Sequence, residues 1–266
     1  MKLIFRLHLP LTILVAVLLA LCLTYSSISQ AKVTGADIYE KTLKSTPIYK
    51  DPALEAYIKS LGEEIVAVSE MAGEKFTFTL LDDEALNAFA TRDNYIYVNR
   101  GLLNYVSNEA QLVSVLAHEV GHVTRGHVTG QEERMTGAKI LSTLAAVLSN
   151  SNEVYEATMA YANSMIQSHG RRNELEADET GAEYMAKLGY DPTEMLSMLS
   201  IMKDNESSQK KRAQGQGVSK PTYHGVFSSH PRNDARLRTV VTKAKSLKSD
   251  NQRDNGADVY RGLTDG

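Results

Sequence analysis

Near its start the chain carries an apolar run, LTILVAVLLALCL (Leu11–Leu23), and after it apolar and polar residues alternate with the periods of regular structure. Asp51-Pro52 is a helix start, an N-cap followed by proline in the first turn. ALEAYIKSLGEEIVAVSEM continues that helix with apolar residues at helical spacing. KFTFTLL (Lys75–Leu81) alternates and is rich in strand formers, which predicts a strand. Ala85–Gly101 predicts two short strands around the turn Arg92-Asp93-Asn94. Asn108-Glu109 starts a helix that runs through LVSVLAHEVGHV. Helical tracts follow at about Thr129–Leu148 and Glu153–Gln167, and a third at Arg171–Gly189 stops on its glycine. Asp191-Pro192 caps one more helix, to about Lys203.

From Asp204 to Tyr223 the apolar positions nearly vanish, which predicts a mobile loop of a length that is usually functional. Pro231 opens a last helix, and the polar tail after about Lys248 is expected to fray. The pattern is that of an α+β chain, helix-rich, with one small sheet ahead of the histidine-bearing helix.

The N-terminal run has its own logic. Lys2 and Arg6 precede it, no acid occurs in it, and small polar residues follow up to Ala31. This is the three-part layout of a secretory signal, with cleavage after Ala31 or Ser29, and the alternative is a retained N-terminal anchor. The expected organisation is residues 1–31 as signal or anchor, 32–248 as one domain with the loop 204–223, and 249–266 as a polar tail. Composition is ordinary for a globular protein of 266 residues, and a net charge of −3 gives no field for nucleic acid. The single cysteine, Cys22, lies in the N-terminal run, and Leu21 before it argues against lipidation. A chain cleaved after Ala31 has no thiolate to offer a metal, so a metal would be held by His and carboxylates.

The candidate chemistry sits in LAHEVGHVTRGHV (Leu116–Val128). Residues four apart share a helix face, so His118 and His122 can bind one ion while Glu119 projects beside them. This is the HExxH arrangement of zinc peptidases. A third ligand is needed. His127 falls one residue short of the metzincin position, which also requires glycine where Arg125 stands. Thermolysin-like enzymes use a glutamate roughly 20 residues on, but Gly137–Asn152 contains no acid. Farther along, NELEADETGAEY places Glu174 and Asp178 on one helix face, as a ligand and a hydrogen-bond partner for a ligating His. Glu176 and Glu179 are expected at the surface, and His127 as a structural histidine.

AHEVGHV, followed by RxxExEAD (from Arg171) and SSHPxxxxR (ending at Arg236), resembles metallopeptidase family forty-eight, the zinc metallopeptidases that include HtpX and the CAAX prenyl proteases. More narrowly it resembles the secreted periplasmic branch that contains BepA and LoiP. LNAFATRDNYIYVNRGLL looks like that family's substrate-side strands, and the likeness covers about residues 35–245. It does not extend to the membrane helices of HtpX or the helical repeats of BepA. The resemblance implies a zincin-type domain with one Zn2+ on His118, His122 and Glu174, and Glu119 as catalytic base. Asp178 and Arg171 would stand behind the ligands, and His230 and Arg236 would belong to an element closing over the site.

The expected reaction is hydrolysis of peptide bonds in misfolded or unassembled envelope proteins. A zinc-bound water would be deprotonated by Glu119, and His230 or Arg236 would supply an oxyanion donor. His230 would alternatively plug the zinc. Substrate would lie extended along Asn87, Ala88, Phe89 and Ala90 as an added strand. Expected partners are polypeptide substrates, with an association with the membrane or outer-membrane assembly machinery and a periplasmic location. The competing expectations are a proteolytically quiet, chaperone-like protein of the same fold, whose mark would be a lost Glu119, and a metal-storage protein with a closed site.

Overall fold

Asp51 and Pro52 begin the helix on which the sheet is laid. In the computed structural model, which describes residues 33–149, 151–215, 234–247 and 253–264, the Asp51 side chain accepts hydrogen bonds from the amides of Ala53 and Leu54. The described elements from Gly35 on are α1 (Gly35–Ser45), α2 (Pro52–Ala67), β1 (Thr77–Leu81), β2 (Ala88–Thr91), β3 (Tyr95–Asn99), α3 (Arg100–Leu103), α4 (Glu109–Thr124), α5 (His127–Ser149), α6 (Asn152–Lys187), α7 (Glu194–Gly215), α8 (Asp234–Ser246) and α9 (Ala257–Thr264). This is a helix-rich α+β architecture. None of the described helices is long and apolar enough to cross a membrane.

The three strands stand in the order β1-β3-β2. β1 runs parallel to β3 from Thr77↔Tyr95 to Leu81↔Asn99, and β2 runs antiparallel to β3 from Ala88↔Val98 to Thr91↔Tyr95. The turn between β2 and β3 uses Asp93 and Asn94 at φ 59° and 64°. Asp and Asn tolerate that left-handed conformation better than most residues. β2 is left at the edge of the sheet. The amide of Asn99 donates to the carbonyl of Asn87 at 3.0 Å. By the alternation of an antiparallel ladder, Asn87, Phe89 and Thr91 then turn their backbone polar groups toward β3, while Ala88 and Ala90 turn theirs to the open edge.

Ile58, Leu61 and Ile65 of α2, Leu80, Ile96 and Val98 of the sheet, and Leu112, Leu116 and Val120 of α4 form one buried cluster. α4 is the most enclosed element: Asn108 caps it by accepting from the Gln111 amide, and all but one of its residues from Glu109 to His122 are buried. Polar side chains on such a helix must find partners, because burying them unpaired costs several kcal/mol, of order 2–7 each. Helix α6 crosses α4 closely. A Cβ on Gly121 would stand 3.1 Å from the Ala177 carbonyl oxygen, and one on Gly181 would stand 3.1 Å from the His118 amide nitrogen. Glycine at both positions lets the two backbones approach, which carries the acids of α6 to the histidines of α4.

Four departures from the sequence pattern have local causes. The tracts expected at Glu153–Gln167 and Arg171–Gly189 form one helix of 36 residues, α6. Gly170 inside it costs only about 1 kcal/mol of helix propensity. α7 continues through residues 204–215, where a loop was expected, and residues 216–223 lie outside the described residues. Glu, Gln, Lys, Arg and Ala in that stretch are good helix formers even without an apolar stripe. The tail expected to fray carries α9, held by buried Tyr260, whose hydroxyl donates to the Leu103 carbonyl at 2.7 Å. Finally, α1 was not anticipated. Its first amide, that of Gly35, donates to the Asp93 carboxylate at the hairpin turn.

Candidate metal centre

His118 and His122, one turn apart on α4, bring their Nε2 atoms to 3.0 Å. Glu174 on α6 faces both, with Oε2 3.5 Å from His118 Nε2 and Oε1 3.3 Å from His122 Nε2. All three side chains are buried. Two imidazole nitrogens and a carboxylate this close are held by a shared proton or a shared cation. A tetrahedral ion with bonds of 2.0–2.1 Å has ligands about 3.3 Å apart, close to the 3.0 Å between the imidazole nitrogens and the 3.3–3.5 Å from them to the two Glu174 oxygens, so the donor set fits such an ion. The donor set suits several divalent ions, zinc among them.

Behind these three residues lies a second layer of charge. Asp178, one turn after Glu174, places Oδ1 2.9 Å from His118 Nδ1. Arg236 of α8 donates to Asp178 through Nε at 2.7 Å and Nη2 at 2.8 Å, and its Nη1 is 2.9 Å from Glu174 Oε2. Each of these residues is almost wholly buried. Burial alone would raise the Asp178 pKa, but the Arg236 guanidinium outweighs it and holds the carboxyl below its ordinary value. Burial likewise opposes charge on Arg236, and Asp178, Glu174 and Glu119 reverse the effect and raise its pKa. Burial would lower the His118 pKa, and Asp178 with Glu174 raise it instead. The pocket therefore favours positive charge where the imidazoles converge.

Glu119 follows His118 on α4 and is buried. With His118 it faces a small cavity of about 40 Å³ lined by Leu86, Leu102, Val115, Met195, Met198 and Leu199. β2, the edge strand with Ala88, Phe89 and Ala90, packs along α4, and Asn87 immediately precedes it.

The structure thus gathers His118, Glu119, His122, Glu174, Asp178 and Arg236 in one buried place. Arg171 is not gathered there. It lies exposed on α6, and the guanidinium that pairs with the acidic cluster is Arg236. With its donors turned to Asp178 and Glu174, Arg236 holds the carboxylates of the site. His230 lies outside the described residues.

One residue acquires contacts that the sequence did not suggest. His127 is buried, with Nδ1 3.1 Å from His122 Nδ1 and Nε2 3.2 Å from Glu176 Oε2. Burial holds the His127 pKa down, against an opposing pull from Glu176. The chain can fold back because Gly126, between α4 and α5, takes φ 67°. Glycine adopts that conformation without a steric cost. The sequence signal was there in outline, a helix-ending glycine directly before a third histidine, but nothing local pointed to Glu176.

A model of Peptidase family M48 matches residues 52–244. The beta-barrel assembly-enhancing protease of Yersinia pestis is 32% identical over 232 residues, which is 84% of this chain and 45% of that one. The protein of the same name from Escherichia coli K12 is 29% identical over the same shares of each chain. The mitochondrial metalloendopeptidase OMA1 of Schizosaccharomyces pombe is 24% identical over 223 residues, 80% of this chain and 61% of that one. The chain spans a little under half the length of the first two of these relatives.

Proposed function

The chain belongs to peptidase family M48, and from that premise we propose that it is a zinc-dependent metalloendopeptidase of the cell envelope. The observation that carries this reading is the convergence of His118, His122 and Glu174 with Glu119 one residue away. Zinc held by these three residues would supply a Lewis acid for a peptide carbonyl and lower the pKa of water toward about 7.

The chain's own residues do the rest. Glu119 accepts a proton from the attacking water and delivers it to the leaving amine. Asp178 faces the outer nitrogen of His118, which fixes that ring with Nε2 toward the metal. Arg236 keeps Asp178 ionised and orients both Asp178 and Glu174. The open edge of β2 takes substrate as an added strand, through the outward backbone groups of Ala88 and Ala90. Pairing of that kind reads backbone more than sequence. The Leu- and Met-lined cavity beside Glu119 receives an apolar side chain next to the scissile bond. Extended backbone with exposed apolar side chains describes unfolded or unassembled polypeptide. The N-terminal apolar run, as signal or anchor, would deliver the enzyme to the envelope, and two relatives are named for enhancing β-barrel assembly.

The test is casein cleavage by wild type and Glu119→Gln, each with its zinc content measured. The reading expects both to hold one zinc and only wild type to cut. Equal cleavage by the variant would end it.

A further inference from the structure

A neutral imidazole that binds a metal through Nε2 carries its proton on Nδ1, and that proton needs an acceptor. For His118 the group facing Nδ1 is Asp178, a carboxylate. For His122 it is another imidazole, with Nδ1 of His127 at 3.1 Å. The far nitrogen of His127, Nε2, lies 3.2 Å from Glu176 Oε2. This second contact sets the direction of the first. An ionised carboxylate only accepts, so His127 carries its proton on Nε2 and donates it to Glu176. Its Nδ1 is then bare and accepts from His122 Nδ1–H. His122 Nε2 is left with a lone pair, aimed at the place where His118 and Glu174 converge.

We propose that His127, backed by Glu176, is the positioning residue of the second metal-binding histidine. The pair sets the tautomer and ring plane of His122, as Asp178 does for His118. The proposal rests on the metal site described above and goes beyond it, because it assigns a role to two residues outside the ligand set. The two histidines then have unequal support. Asp178 is buried and clamped by Arg236, whereas the Glu176 side chain is 54% exposed. The His122 side is accordingly the softer half of the site.

The experiment measures the zinc dissociation constant of the full chain by competition with a chromophoric chelator. The variants are His127→Leu, His127→Asn and Glu176→Ala. Loss of a partner behind a ligating histidine weakens metal binding by about 10–100-fold. His127→Leu is expected in that range. His127→Asn, whose amide oxygen falls near the position of Nδ1, is expected to recover most of the affinity. Glu176→Ala, a change at a half-exposed side chain, is expected to show a smaller loss in the same direction. Nitrogen NMR of zinc-loaded, histidine-labelled protein should find His127 protonated on Nε2. A merely structural His127 would lower the melting temperature of the metal-free protein and leave zinc affinity unchanged. Unchanged affinity in both His127→Leu and Glu176→Ala, with wild type binding zinc normally, overturns the proposal and spares the metal site. Protonation of His127 on Nδ1 overturns it as well. Wild type that binds no zinc removes the metal site, and this proposal with it.

Discussion

Arg236→Met removes the one guanidinium that faces both Asp178 and Glu174. The structure allows the cost to be sized. Arg236, Asp178 and Glu174 are 3%, 1% and 4% exposed, so the pairing is dry. Two carboxylates with charge centres about 4 Å from the guanidinium contribute roughly 4 kcal/mol each at an effective dielectric constant near 20. Desolvation of the arginine cancels part of that. The net loss on breaking a buried pair by removing one partner is about 3–5 kcal/mol. For a domain of this size that is a fall in melting temperature of roughly 6–20 °C. The loss has a pH sign. Arg236 holds the Asp178 carboxyl below its ordinary pKa, so the stability it confers through that group is present at higher pH and is lost as pH falls, and the variant lacks it. The variant should therefore be closest to wild type under acid conditions. It also has a metal sign, because a divalent cation supplies the missing charge, and added zinc should restore more stability to the variant than to wild type. The assay is calorimetry of both proteins with chelator and with zinc, between pH 5 and 8. A deficit below about 1 kcal/mol in the chelated protein, the value for an exposed pair, would refute the argument. So would a deficit that grows as pH falls.

Three further outcomes are expected. Ala90→Pro removes an amide that points away from β3, so the chain should keep its melting temperature while casein cleavage falls at least tenfold; a stable variant with full activity would exclude the edge of β2 as the substrate track. Tyr57 and Tyr190 donate to Glu109 at 2.8 and 2.5 Å, and burial first, then that carboxylate, push both pKa values far above 10. Their neutral form is the one the fold prefers, so stability is complete below pH 10 and lost above it, by about 1.4 kcal/mol per pH unit for each tyrosine. Urea unfolding between pH 9 and 11 should lose most of that slope in a Tyr57→Phe/Tyr190→Phe variant, and an unchanged slope contradicts the assignment. Peptides with Leu or Phe beside the scissile bond should be cut faster than those with Asp or Lys, and Met198→Glu should narrow that ratio; a variant with unaltered preference would leave the cavity without a role in specificity.

Much of the site was legible because helical spacing carries it. His118 with His122, and Glu174 with Asp178, are each four residues apart on a helix, which the sequence states directly. The caps at Asp51 and Asn108 and the Asp93-Asn94 turn were also readable, since each is a local side-chain or backbone preference. What escaped depends on contacts across the fold. Arg171 stands three residues from Glu174 in the chain, yet Arg236, from a different helix, makes the pairing. Glu176 looked like one more surface acid among four, and only the turn at Gly126 brings His127 to it. Tyr260 sits in a polar tail whose composition gives no sign that its ring is buried and its hydroxyl reaches Leu103. The helix through residues 204–215 has no apolar stripe to announce it, and its only signal is the helix propensity of its Glu, Gln, Lys, Arg and Ala residues.

The central claim is that His118, His122 and Glu174 hold one zinc ion for Glu119 to work beside. A crystal structure of the zinc-loaded Glu119→Gln protein, with anomalous differences measured at the zinc edge, tests it most directly. The account predicts a single strong peak per chain, bonded at about 2.0–2.1 Å to Nε2 of both histidines and to Glu174. A peak bonded to His127 in place of Glu174, or no peak among these residues at full zinc occupancy elsewhere, would contradict it.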